Sequence, residues 1–211
     1  MTRNVVFDLD GTLVDSRPGI VGSLMQSAKT VFPGKNIADL HFQIGPPVRA
    51  IMQAALGSLS EAQQIALEEA FRASYDNGGW KDTLIYPGVE ETLDVLRRQG
   101  LSLFIITNKP TFPTTQILVH LDLRHRFEEV LSRDSHQPPF DSKAAMLTFL
   151  LAKYSLPAEE ALYVGDSEED LLAAEECKIG FIGIEYGYGT FPERKGQLPM
   201  IHSFQELLKV L

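Results

Sequence analysis

Two aspartates, Asp8 and Asp10, stand directly after the apolar run Val5-Val6-Phe7 and directly before Gly11-Thr12. In an extended chain, residues two apart project to the same side, so this spacing aims two carboxylates one way. Like charges held that close raise a pKa unless a cation or a third partner intervenes, a cost that calls for a function. Taken alone, the pair reads equally as two solvated acids closing a turn. A second acidic group lies far along the chain, in Val164-Gly165-Asp166-Ser167-Glu168-Glu169-Asp170, again behind an apolar run. Gly165 permits a sharp turn there, and Asp166 and Asp170, four apart around a helix start, can approach one point. A third run, Ile105-Ile106, ends in Thr107-Asn108, which offers a hydroxyl and backbone donors but no charge. If these three runs are neighbouring strands of a parallel sheet, one pocket gathers Asp8, Asp10, Thr107, Asp166 and Asp170. A hard divalent cation with oxygen ligands neutralises such a set, and Mg²⁺ accepts few carboxylates together with water and phosphate.

The elements that must position these groups follow from hydrophobic patterning. Val5-Val6-Phe7, Leu103-Phe104-Ile105-Ile106, Leu162-Tyr163-Val164 and Phe181-Ile182-Gly183-Ile184 are apolar throughout, as a strand covered on both faces requires. Helical spacing runs through Val89 to Arg98, Lys143 to Tyr154 and Asp170 to Glu176, with a further strand expected over Phe127 to Leu131 and a closing helix over Phe204 to Leu211. The expected fold is α/β, a doubly wound parallel sheet, and such sheets place ligands at the carboxyl ends of their strands. From about Pro18 to Lys81 only helical patterns occur: Ile20 to Val31, Val48 to Leu56, and Glu61 to Asn77 behind a cap at Ser60 with Gln63 close to the box position. That block is too long for a simple crossover. It is expected to be a small inserted all-helical domain over residues 16–81, with residues 1–15 and 82–211 forming the α/β core. Turn chemistry marks hinges at Asp15 to Pro18 and Asp82 to Gly88.

Bulk properties narrow the function classes. The chain has 211 residues, 44% hydrophobic and 22% charged, and a net charge of −9 without a basic block, which disfavours nucleic acid and anionic membrane surfaces as partners. No apolar stretch reaches the length that spans a bilayer, and Met1 to Leu13 is too short and too acidic at its end for a signal peptide. The lone Cys177 forms no internal disulfide, which fits a reducing, cytoplasmic compartment. The partner expected is a small metabolite, and the chain a monomer or homodimer.

The run Phe7-Asp8-Leu9-Asp10-Gly11-Thr12-Leu13-Val14-Asp15-Ser16, with Thr107-Asn108, Lys143 and Gly165-Asp166-Ser167-Glu168-Glu169-Asp170, resembles the four motifs of the haloacid dehalogenase superfamily. Tyr86-Pro87-Gly88-Val89, Thr107-Asn108-Lys109-Pro110 and Gly187-Tyr188-Gly189 resemble its phosphoglycolate-phosphatase-like branch. The resemblance covers nearly the whole chain and is weakest across the helical insert, which it makes a cap domain. It implies a Mg²⁺-dependent phosphatase acting on a small phosphomonoester through an aspartyl phosphate. Asp8 would be the nucleophile and Asp10 the acid and base. Asp8, the Asp10 backbone carbonyl and Asp166 would hold Mg²⁺, with Asp170 close by, directly or through water. Thr107, the Asn108 backbone and Lys143 would meet charge on the transferred group.

Lys143 departs from the pattern of many relatives, whose lysine immediately precedes a proline; here Gln137-Pro138-Pro139 has none. A cation at a helix start opposes the helix dipole, so Lys143 is expected to have an anionic partner such as phosphate or Asp8. Lys109 competes for the phosphate contact, but fits an exposed loop residue equally well. Arg49, after Gln43-Ile44-Gly45-Pro46-Pro47-Val48, falls where the cap of this family carries specificity residues, and a second anion contact is expected of it; a solvated helix arginine is the more ordinary reading. Gly187 and Gly189 lack the following Gly-Lys-Ser/Thr of a P-loop. His41 and Trp80 carry no functional expectation. Asp10 favours a phosphatase over a dehalogenase, which has no alkoxide to protonate, and Ile20 stands where related mutases carry a histidine. Phosphoglycolate is the first substrate expected and pyrophosphate the second, since Ile44-Gly45-Pro46-Pro47 also resembles pyrophosphatase caps; nucleotides and sugar phosphates follow.

Overall fold

A strand that is apolar at every position stays in water-free contact only if both sheet faces are covered, and the structure covers both. The computed structural model describes residues 2–37, 40–191 and 198–211. The chain divides into two compact units, Met1–Asp15 with Leu84–Leu211, and Ser16–Thr83.

The first unit is built on six strands: β1 (Asn4–Phe7), β4 (Ser102–Thr107), β5 (Glu129–Ser132), β6 (Ala161–Gly165), β7 (Gly180–Ile184) and β8 (Met200–Ile201). They lie in the order β5-β4-β1-β6-β7-β8, every pair parallel. The three strands that carry the candidate residues, β4, β1 and β6, are therefore neighbours, with Phe7 level with Ile105 on one side and with Val164 on the other. Alternation sorts their side chains onto two cores. Val5, Phe7, Leu103, Ile105, Leu162 and Val164 pack with Val89, Leu93 and Leu96 of α4 (Val89–Arg98) and with Leu118 of α5 (Thr111–His120). Val6, Phe104, Ile106 and Tyr163 pack instead with Met146, Leu147 and Leu150 of α6 (Lys143–Tyr154) and with Ala173 and Ala174 of α7 (Glu168–Glu176). A small antiparallel pair, β2 (Val14–Asp15) with β3 (Leu84–Ile85), brackets the point where the chain leaves this unit and returns.

Three details differ from the patterning. The expected strand over Phe127 to Leu131 begins at Glu129, because Phe127 turns into the core and meets the Phe7 ring edge-on at 6.3 Å. The closing helix starts as a 3-10 turn over Phe204–Glu206 and only Leu207–Val210, α8, is α-helical. The two-residue strands β2, β3 and β8 are too short to leave a period in the sequence.

The second unit contains α1 (Arg17–Val31), α2 (Val48–Leu56) and α3 (Glu61–Asp76). The Ser60 hydroxyl accepts from the Gln63 amide at 3.3 Å while the Gln63 side chain accepts from the Ser60 amide at 2.9 Å, a reciprocal cap that starts α3. The Ser27 hydroxyl, buried on α1, donates to the Leu67 carbonyl at 2.8 Å. Among the described residues, no helix is long and apolar enough to cross a membrane.

Candidate active site

Each acidic side chain is delivered by a strand end. Asp8 follows β1, its amide donating to the Val164 carbonyl at 3.0 Å, and it is buried. The chain then reverses through Gly11 at φ +86°, where a β-carbon would lie 2.3 Å from Asp166 Oδ2; only glycine fits that approach. Asp166 follows β6 and is buried as well. Its Oδ2 accepts backbone amides from Tyr188 at 2.6 Å and Gly189 at 3.0 Å. Gly187-Tyr188-Gly189 is thus a cradle for a carboxylate of the protein itself, a role the sequence did not disclose. Tyr188 adds a hydroxyl bond to Asp15 at 2.7 Å.

Asp170 sits at the third position of α7, wholly buried, and is saturated with donors. Oδ1 accepts from Lys143 Nζ and from the Tyr163 hydroxyl, both at 2.6 Å. Oδ2 accepts from the Ser167 amide at 3.1 Å and the Ser167 hydroxyl at 2.5 Å. The sequence signals Tyr163 only by a hydroxyl within an otherwise apolar strand, which when buried needs a partner.

Lys143 opens α6 behind Ser142, whose hydroxyl caps the Ala145 amide at 3.1 Å. Its ammonium bridges Asp8 at 2.8 Å and Asp170 at 2.6 Å, with 6% of the side chain exposed. Two carboxylates explain why a cation tolerates a helix N-terminus. One oxygen each from Asp8, Asp166 and Asp170 falls within 4.8 Å of the others.

The second lysine is built in just as firmly. Lys109 is buried, not an exposed loop residue, and its ammonium contacts both Asp10 oxygens, at 3.0 and 2.9 Å. Thr107, at the tip of β4, accepts the Lys109 amide at 3.2 Å. The Asn108 side chain donates to Glu169 at 2.8 Å. In the other unit, the Arg49 guanidinium is held by Glu61 at 3.1 Å and Glu68 at 3.2 Å, both on α3.

Electrostatics follow from burial and charge count. Burial pushes the Asp8 pKa well up, the Lys143 ammonium pulls it down, and Asp170 and Asp166 push it up again. Burial likewise raises Asp166, helped by Asp170 and opposed by the Gly189 and Tyr188 amides. For Lys143 burial disfavours the charge, yet Asp170 and Asp8 outweigh it and lift the pKa above the ordinary lysine value. Three buried carboxylates around one ammonium leave surplus negative charge, and all remaining ligand atoms are hard oxygens. That donor set fits Mg²⁺ or a similar hard divalent cation.

Comparisons with known proteins agree with this geometry. Residues 5–184 match the family model for haloacid dehalogenase-like hydrolases. A phosphoglycolate phosphatase from Mannheimia succiniciproducens is 32% identical over 216 residues, covering 97% of this chain and 96% of that protein. Among solved structures, a predicted phosphoglycolate phosphatase from Haemophilus somnus is 28% identical with a TM-score of 0.83, covering 99% of this chain and 97% of the other. A haloacid dehalogenase-like family hydrolase from Streptococcus pneumoniae is 25% identical with a TM-score of 0.84, covering 99% and 98%. A match that runs from β1 through β7 and takes in every acidic strand tip makes this chain a member of the haloacid dehalogenase-like hydrolases.

Proposed function

We propose that the chain is a Mg²⁺-dependent phosphatase that hydrolyses a small phosphomonoester of the phosphoglycolate type through an aspartyl phosphate on Asp8. The observation that carries this reading is the Lys143 ammonium shared by Asp8 and Asp170 beside Asp166, an electron-rich oxygen set with one ammonium inside it. The substrate class is supported by the phosphoglycolate phosphatases among the relatives.

Asp8, Asp166 and the Asp10 carbonyl would hold the metal, which supplies positive charge that lets a phosphate dianion approach the carboxylates. Asp170 has both oxygens occupied by donors, so its part is to orient Lys143. Asp8 attacks phosphorus as a carboxylate; Lys143 pulls its pKa down against burial, and the charge of a bound metal would favour the ionised form further. As the ester bond breaks, its electron pair passes to the leaving oxygen, which takes a proton from Asp10. Water then attacks the acyl phosphate, giving its proton to Asp10 and regenerating Asp8. Thr107, the Asn108 amide and Lys143 meet the charge on the phosphoryl oxygens. The helical unit of residues 16–83 acts as the cap.

The test is phosphate release from 2-phosphoglycolate, with and without Mg²⁺, by the wild type and Asp8→Asn. Release should require the metal and vanish in the variant. Substantial turnover by Asp8→Asn removes Asp8 from the nucleophile role.

A further inference from the structure

The buried ion pair between Lys109 and Asp10 bears on which phosphomonoesters fit. Lys109 is fixed along its backbone: its amide donates to Thr107 Oγ1 at 3.2 Å and its carbonyl accepts from Thr114 Oγ1 at 3.4 Å. Its side chain is 6% exposed, and its ammonium spans both oxygens of Asp10. An acid that protonates a leaving oxygen must bring one of its own oxygens to about 2.6–3.2 Å from it. The Lys109 ammonium, 2.9 and 3.0 Å from the Asp10 oxygens, is then no more than about 6 Å from the leaving oxygen. A carboxylate one methylene from an ester oxygen has its own oxygens roughly 3 Å from that ester oxygen, within reach of the ammonium. When Asp10 turns one oxygen to the leaving group, it gives up part of its contact with the ammonium, and a substrate anion within reach can take that place.

We propose that Lys109 recognises a second negative charge on the leaving group, a substrate carboxylate replacing Asp10 as its partner. This rests on the phosphatase reading and deepens it. The preferred substrates are monoesters of short 2-hydroxy acids, and neutral alkyl phosphates are poor ones. Lys109 thereby couples recognition to chemistry, since the group that occupies it also frees Asp10 to act.

The experiment compares kcat/KM for 2-phosphoglycolate and ethyl phosphate, which has the same two carbons and no carboxylate, with Mg²⁺ present. The wild type should favour phosphoglycolate by about tenfold or more, the range of one hydrogen bond to a charged group. Lys109→Met should reduce that preference to about threefold or less, and Lys109→Arg should recover part of it. If Lys109 only holds Asp10 in place, Lys109→Met lowers both substrates by the same factor; an unchanged ratio overturns the inference. Equal wild-type rates on the two substrates overturn it too. Wild-type turnover of other monoesters but not of phosphoglycolate overturns it while leaving the phosphatase reading in place. No turnover of any monoester defeats the phosphatase reading and this inference with it. Should Lys109→Met fail to fold, the wild type decides the matter with the methyl ester of phosphoglycolate, which keeps the shape and removes the charge; a wild-type preference for that ester overturns the inference.

Discussion

Replacing Lys143 by methionine removes the ammonium held between Asp8 and Asp170 while keeping most of its apolar bulk. Each contact, at 2.8 and 2.6 Å, represents about 6 kcal/mol of gross attraction at an effective dielectric of about 20. Desolvation of the charges offsets much of that, and removing one partner of a buried pair costs about 3–5 kcal/mol. No compensation follows from the change, because Asp8, Asp166 and Asp170 are left to repel one another. For a chain of this size about 1 kcal/mol moves Tm by about 2–4 °C, so the metal-free variant should melt about 6–20 °C below the wild type near pH 7. The sign with pH is fixed by Asp8. Lys143 pulls the Asp8 pKa down against burial, so without it the folded-state value climbs further. A carboxylate raised in the folded state contributes stability that is complete below its unfolded pKa and is lost as pH rises through the folded one. The deficit should therefore be smallest near about pH 4, the unfolded carboxylate range, and grow toward neutrality. Circular dichroism melts in EDTA across that range measure it, and kcat should fall about 10²–10³-fold, as when one donor to a developing anion is lost. A variant within about 1 kcal/mol of wild type at neutral pH, or a deficit that grows on acidification, would refute the account.

Asp10→Asn should slow both chemical steps and let the acyl phosphate accumulate, seen as a phosphoryl adduct by mass spectrometry after rapid quenching. Normal rates without an adduct would remove Asp10 from proton transfer. Because burial raises Asp8 and Asp166 alike, their ionisation weakens the metal-free fold as pH rises, so Mg²⁺ should raise Tm more at about pH 8 than at about pH 5. An equal or reversed increment would contradict a metal held by these carboxylates. Gly189→Ala would put a β-carbon 2.4 Å from the Asp166 carbonyl oxygen and break the 3.0 Å amide bond to Oδ2. Losing a hydrogen bond to a charged group is worth about 1.5–3 kcal/mol, so the Mg²⁺ concentration for half-maximal activity should rise about tenfold or more. Unaltered metal dependence would show that this cradle does not position Asp166.

The neighbouring strands β4, β1 and β6 were legible in the chain because burial on both faces demands unbroken apolar runs, and a strand end is where such a run meets its first charge. Asp8, Asp10, Thr107 and Asp166 are local in that sense: each stands within a few residues of the apolar run that presents it. The short strands β2, β3 and β8 were not legible, since two residues carry no period. Nor were the long-range pairings around the acids. The Lys109 ammonium meets Asp10 ninety-nine positions away, and the Tyr188 amide meets Asp166 across twenty-two. The amino-acid sequence alone thus determined the parallel α/β architecture and the acids at its strand tips, set by local hydrophobic order, while the family rested on the resemblance of its motifs. Only the tertiary structure decided which lysine neutralises which acid, that Asp170 is occupied by donors, and that a glycine loop holds Asp166. Hydrogen bonds and ion pairs depend on distances of about 3 Å between side chains remote in the chain, and no one-dimensional pattern encodes those distances.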